Sequence, residues 1–213
     1  MTDKKSVLFP AYLPSLADFS VLTQYEVIWE VSGNYQKQSL RNRTYITNDR
    51  GRHALTIPIK GKAAEAPRRG YDEILIDNTQ PWQRTHWRTL QTAYRTSPYF
   101  EFYEHLFEPL FNQTKTHLLP FNLEVIETIC KALQISFPTE KTPDYFKELS
   151  QGHDHRYLIS PKEVKSYHSP TYNQVFIDRH GFIPNLSVLD ILFNEGPNAL
   201  SLLKATTIYM IGF

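Results

Sequence analysis

Apolar positions along the chain change their period near residue 80. Before it they come as short runs bounded by turn residues, the signature of strands. Val7–Phe9 is the first, and Glu26–Val31 (EVIWEV) the second. Between them Pro10–Pro14 reads as a tight loop and Ser15 as the N-cap of a helix over Leu16–Gln24. If the two strands are parallel, this is a compact βαβ unit. Thr44–Thr47 and His53–Ile59 flank NDRG, where Asp49 and Gly51 suit a hairpin turn. A mobile basic loop over Gly61–Gly70 and a short strand over Ile74–Asp77 complete this half.

After residue 80 the apolar spacing is helical. Pro81 opens a helix to about Arg95, and Pro98 another through about Asn112. The second carries the stripe Tyr99, Phe102, Tyr103, Leu106, Leu110, with Pro109 expected to kink it. Phe121–Leu133 is a third amphipathic helix. Residues 138–169 are polar and proline-dotted, and read as an irregular excursion or linker. Order returns with a helix around Tyr172–Arg179 stopped by Gly181, a core-like helix within Asn185–Asn194, a break at Gly196-Pro197, and a last strand in TTIYMIGF. The fold class is therefore α/β, a small mixed sheet with an N-terminal βαβ-like unit packed against a largely helical C-terminal half. We read 1–213 as a single domain: a strand-rich part (1–80), a helical part (81–135), the excursion, and C-terminal helices (170–213).

Composition narrows the function classes. The net charge of +1 excludes a general polyanion binder, and no basic, aromatic-interleaved module points to nucleic acid. That neutral total hides an asymmetry. Residues 1–100 hold 14 Lys/Arg against 9 Asp/Glu, while residues 101–213 hold 9 against 13. No run is long enough for a membrane span or a signal peptide, so a cytoplasmic protein is expected. The lone Cys130, at helical spacing from Ile126 and Leu133, reads as a buried, inert thiol. Glycine-rich phosphate loops are missing, and no cofactor is named by any motif.

Five stretches carry candidate chemistry. In a βαβ unit, ligands sit beyond the carboxyl end of the first strand, which places Tyr12 of FPAYLPS at a site edge; the alternative is a packed tyrosine in a proline-shaped turn. NYQKQSLRNR gathers Asn34, Lys37, Arg41, Asn42 and Arg43 around one apolar residue, either as donors to a phosphate or carboxylate or as a solvated loop. On the helix after Pro81, His86 falls amid the apolar stripe with Trp82, Trp87, Leu90 and Tyr94, while Arg84, Arg88 and Arg95 share another edge. A desolvated histidine stays neutral and is either an acid–base group or a core residue bonded to a carbonyl. Asp190 interrupts an apolar run and requires a partner if buried. His153-Asp154-His155 has metal-ligand residue types but no third ligand nearby, and no metal site is assigned.

The stretches FPAYLP, KQSLRNR, LTIPIK, WQRTHWRTLQTAYRTSPYF and GFIPNLSVLDILFNEG together resemble the WbqC-like protein family, over most of residues 7–111 and 172–203. The N-Y-x-K-Q and P-N-L-S-x-x-D-x-L-F-N versions are similar to its Bacteroidetes-type branch. Phe9 stands where the family pattern has glutamine, and Ala17-Asp18 where it has Gly-Tyr. The resemblance implies a role near bacterial surface polysaccharide (O-antigen or cell-envelope glycan) assembly and brings no reaction with it. Two functions follow. One is a transferase-type enzyme on a sugar nucleotide or other phosphorylated metabolite, with Lys37, Arg41 and Arg43 neutralising phosphate, Asn42 orienting a hydroxyl, Asn34 a further ligand-binding residue, and Tyr12, His86 and Tyr94 as acid–base or positioning groups. The other is a non-catalytic binding or assembly protein of the same pathway, a homo-oligomer joined through its aromatic helix or its opposite-charge halves.

Overall fold

The computed structural model describes residues 5–61, 69–149, 151–162 and 167–209. Strand β1 (Lys5–Leu8) leads through Phe9–Pro14 into helix α1 (Leu16–Gln24), and the chain returns as β2 (Glu26–Trp29). β2 lies parallel to β1, from Lys5 opposite Glu26 to Leu8 opposite Trp29, so the opening segment is a βαβ unit. α1 starts where the sequence predicts because Ser15 and Asp18 form a reciprocal capping box. β3 (Arg43–Asn48) and β4 (Gly51–Thr56) form an antiparallel hairpin through Asp49-Arg50, closed by Gly51 at φ +102°.

Helices α2 (Trp82–Tyr94), α3 (Phe100–Phe111) and α4 (Leu118–Ala132) pack on one another. A small strand, β5 (His153–Asp154), adds to the free side of β1 in parallel. Beyond it come β6 (Tyr167–His168), the short helix α5 (Ile177–His180), α6 (Val188–Glu195), α7 (Ala199–Ala205) and β7 (Thr207–Ile208), which pairs with β6. The fold is thus mixed α/β, with a three-stranded parallel sheet ordered β2-β1-β5. One continuous apolar cluster runs from Leu8 through Tyr12, Trp82, Phe107 and Ile126 to Leu203. Among the described residues no helix is long and apolar enough to cross a membrane. Cys130 lies within the core, where burial pushes its thiol up to about 12.

Four local expectations change. Ile74–Asp77 is not a strand pair but two isolated bridges, Leu75 to His117 and Ile76 to Ile59. The buried face of α3 is Phe100, Tyr103, Phe107, Leu110 and Phe111, while Phe102 is 68% exposed, so the stripe is rotated from the predicted one. The helix around Tyr172–Arg179 shrinks to α5, although Gly181 stops it as expected, at φ +69°. The described residues of 138–169 are mostly irregular yet not a free linker: Glu140–Thr142 bonds the backbone of Trp29, and β5 completes the sheet. Most of the basic loop and the last residues of TTIYMIGF lie outside the described residues.

Candidate ligand cleft and its tyrosine–histidine pair

The loop after β1 is held from two sides. Tyr12 N–H donates to the Leu40 carbonyl at 2.9 Å, and Thr44 Oγ1 donates to the Leu13 carbonyl at 2.8 Å. Between these anchors Leu13 adopts φ +41°, a left-handed conformation that a leucine reaches only under constraint. The constraint fixes the direction of Tyr12. Its hydroxyl lies 2.8 Å from His86 Nδ1, both side chains buried. The Trp82 and Phe121 rings close around the pair. Desolvation pushes His86 down to about 4, partly offset by a hydrogen bond with the Thr56 backbone. Burial likewise raises the Tyr12 phenol well above its ordinary value. At neutral pH the pair is therefore an uncharged phenol and an uncharged imidazole. When Nε2 carries the imidazole proton, the Nδ1 lone pair accepts the Tyr12 proton. The phenol oxygen keeps its own lone pairs, and a proton taken from a ligand there can pass on to His86.

Tyr12 forms part of the wall of a narrow cleft, with Leu40, Arg43, Tyr45, Arg52 and Ser187 among its other walls and a free volume of about 10 Å³. That volume is close to the least that holds one water. The half-buried Arg43 donates from Nε to Thr56 Oγ1 at 3.2 Å, and the Arg52 guanidinium lies 3.7 Å from the Tyr45 ring centre. The C-terminal segment supplies the rim. Ser187 N–H donates to the Tyr45 carbonyl, Val188 N–H to the Pro14 carbonyl, and Asn185 Oδ1 accepts from Ala17 N–H. Arg43 and Arg52 thus line a cleft that Tyr12 also lines, with His86 bonded to the Tyr12 hydroxyl and not itself among the cleft's walls.

The remaining predicted residues lie elsewhere. Tyr94, about two turns along α2 from His86, donates to Asp190 Oδ1 at 2.9 Å instead. Asp190 also accepts from Tyr172 at 2.7 Å and Gln174 at 3.0 Å, so its expected partners are neutral donors and not a cation. Burial raises this carboxyl to about 6 despite those bonds. Asn34 and Lys37 are exposed, and Asn42 turns inward to donate to the Ile57 carbonyl at 2.8 Å. Arg41 is completely buried against Phe9 and Tyr71 and is not among the cleft's walls. The structure therefore joins Tyr12, His86 and Arg43, and separates them from Tyr94, Asn34, Lys37 and Arg41. It also adds Arg52 and Ser187, which sequence reasoning missed. Arg52 falls between the predicted turn and the predicted strand, and β4 takes it in; nothing local marks Ser187 as adjacent to residues more than 130 positions earlier.

Comparison with known proteins agrees with this layout in extent. The model of the WbqC-like protein family matches residues 10–164 and 159–202, a range that includes the loop after β1, the hairpin, α2, β5 and the C-terminal rim. An uncharacterised protein of Mycobacterium tuberculosis is 28% identical over 200 aligned residues, covering 80% of this chain and 84% of that protein. No solved structure matches the chain.

Proposed function

The chain belongs to the WbqC-like protein family, and on that premise we propose that it is a group-transfer enzyme acting on a sugar nucleotide or similar phosphorylated metabolite of bacterial surface-polysaccharide assembly. The observation that carries this reading is the 2.8 Å Tyr12–His86 hydrogen bond, made by a tyrosine that lines the same cleft as Arg43 and Arg52. Arg43 and Arg52 neutralise the phosphate, and bidentate guanidinium contacts orient it. As the acceptor oxygen or nitrogen bonds the transferred group and that group's bond to the phosphate oxygen breaks, Tyr12 takes the acceptor's proton and passes its own to His86, and the phosphate leaves against Arg43 and Arg52. This reading requires the cleft to open around its ligand, because its volume of about 10 Å³ admits only a water-sized group.

Thermal-shift titration with uridine and thymidine diphosphate sugars tests this reading. At least one produces a saturable rise in melting temperature. Arg43→Ala and Arg52→Ala each weaken the response at least tenfold, whereas Tyr12→Phe and His86→Asn keep the binding and lose turnover. Silence across the panel, or equal shifts in the parent and the arginine variants, rejects it. The alternative, a non-catalytic assembly protein, is favoured by one observation, the 68% exposure of Phe102 on α3. Light scattering decides that point, since an assembly role requires an oligomer that Phe102→Ser dissociates.

A further inference from the structure

Among the described residues Arg41 is a fully buried charge with few partners. Its guanidinium lies 3.9 Å from the Phe9 ring centre and 5.4 Å from that of Tyr71. Its only hydrogen bond among the described residues runs from Nη1 to Ser39 Oγ at 3.3 Å, and Nε is buried without a partner. No described carboxylate comes within ion-pairing distance of it. The nearest in electrostatic reach, Glu30, accepts from Ser32 N–H and Thr142 Oγ1 and faces Arg156 Nη1 at 3.5 Å. A buried cation left in this state is costly unless something else completes it.

Its place in the fold indicates what completes it. β1, β2 and β5 all run parallel, and the residues just beyond their ends are Phe9, Glu30 and His155, with Arg156 following. Arg41 lies over this carboxyl edge, where open parallel sheets take their ligands. A two-segment roof covers it. Asn34 bridges Gly70, Tyr35 N–H donates to the Arg69 carbonyl at 2.9 Å, and Tyr71 N–H donates to the Gly33 carbonyl at 3.0 Å. The roof is close-fitting, since a side chain at Gly33 would begin 3.0 Å from Phe9 and 3.2 Å from Tyr145. Beneath it Tyr35 is buried, and its hydroxyl has no hydrogen-bond partner among the described residues.

We propose that the free Nε/Nη2 edge of Arg41, with the Tyr35 hydroxyl, receives the carboxylate of a small acidic ligand admitted when the Gly33–Tyr35 and Arg69–Tyr71 segments part. With Nη1 engaged by Ser39, the remaining edge presents two parallel N–H groups, the geometry that matches the two oxygens of a carboxylate. One cation with Glu30 nearby suits a monoanion and disfavours a phosphate dianion. Arg41 and Tyr35 lie outside the walls of the Arg43/Arg52 cleft, although the Arg43 charge reaches Tyr35, and the proposal stands whether or not the transferase reading does.

The test is a thermal-shift titration at constant ionic strength with acetate and glucuronate, their neutral twins acetamide and glucose, and inorganic phosphate. Acetate and glucuronate raise the melting temperature saturably, the neutral twins do not, and phosphate acts more weakly. Arg41→Met removes the carboxylate response while the ligand-free protein melts at or above the parent temperature, because an unpaired buried charge is gone. Arg41→Lys, which keeps the charge but loses the fork, weakens the response at least tenfold, and Arg84→Ala, at an exposed position of α2, leaves it intact. Absence of a carboxylate response, an equal response to the neutral twins, a stronger phosphate response lost in Arg41→Met, or undiminished carboxylate binding in Arg41→Lys overturns the proposal.

Discussion

Histidine burial gives this protein an acid sensitivity that its formal charge does not reveal. Desolvation pushes both His86 and His155 down to about 4, and His155 Nδ1 lies 2.7 Å from the Ser6 hydroxyl inside the sheet. An unfolded histidine titrates near 6.5, so between roughly pH 6.5 and 4 the unfolded chain holds protons that the folded chain lacks. Stability is lost as pH falls through that window, by on the order of 3 kcal/mol for His86. Asp190, raised to about 6, and Asp18, raised to about 7, have the opposite sign. Their contribution is complete below the ordinary carboxylate range and lost as pH rises through 6 to 7. Urea midpoints at pH 7 and 4.5 separate the two effects. His86→Gln flattens the acid loss, whereas Asp190→Asn steepens it, and parallel profiles for both variants would contradict the assignment.

Elements are set by local signals at their ends and by neighbours along their faces. The capping box of Ser15 and Asp18 places the start of α1, and Gly181 places the end of α5, each legible in a few residues. Gly196 looks alike in sequence but differs in cause. At φ +53° it separates α6 from the turn before α7, and a Cβ there would fall 2.5 Å from Tyr99 Cδ1. At Gly181, with φ +69°, a Cβ would meet nothing within 4 Å. Gly181→Ala therefore costs about 1–2 kcal/mol of backbone strain alone. Gly196→Ala adds steric overlap and costs about 3–4 kcal/mol. Chemical denaturation of the two variants measures the difference, and equal losses would show that the Tyr99 ring yields. The face of α3 is a different case. Aromatic and aliphatic residues occupy enough positions that helical spacing allows more than one stripe. Contacts with α2, α4 and α6 bury Phe100 and Phe107 and leave Phe102 outside.

At the scale of the whole molecule, residues 138–162 tie the opening unit to the rest. Arg156 grips Asp154 with Nε at 2.9 Å and Nη2 at 2.6 Å, bonds the carbonyls of Phe146 and Lys147, and faces Glu30. Arg156→Leu strands a fully buried Glu30 carboxylate and costs about 3–5 kcal/mol. The urea midpoint reports that loss, and trypsin cleavage after Lys147 accelerates as its carbonyl is released. An unchanged midpoint and cleavage rate would mean that the excursion is held by other contacts.

Sequence pattern alone determined the βαβ opening, the β3–β4 hairpin and the existence of three long helices. Those features depend on residues a few positions apart, whose periodicity and capping are local physics. It also marked Tyr12, His86 and Arg43 as chemically unusual, because a histidine inside an apolar stripe and a tyrosine after a first strand are visible without coordinates. Whether such residues meet is another matter. The Tyr12–His86 bond spans 74 positions, and Ser187 joins the cleft rim from far beyond both. Tyr94 shares a helix with His86 yet turns to Asp190, and Arg41, two residues from Arg43, faces Phe9 rather than the cleft. Only tertiary structure decided those partners. A buried polar side chain takes whichever complementary group the packing of distant elements delivers, and spacing along the chain does not encode that choice.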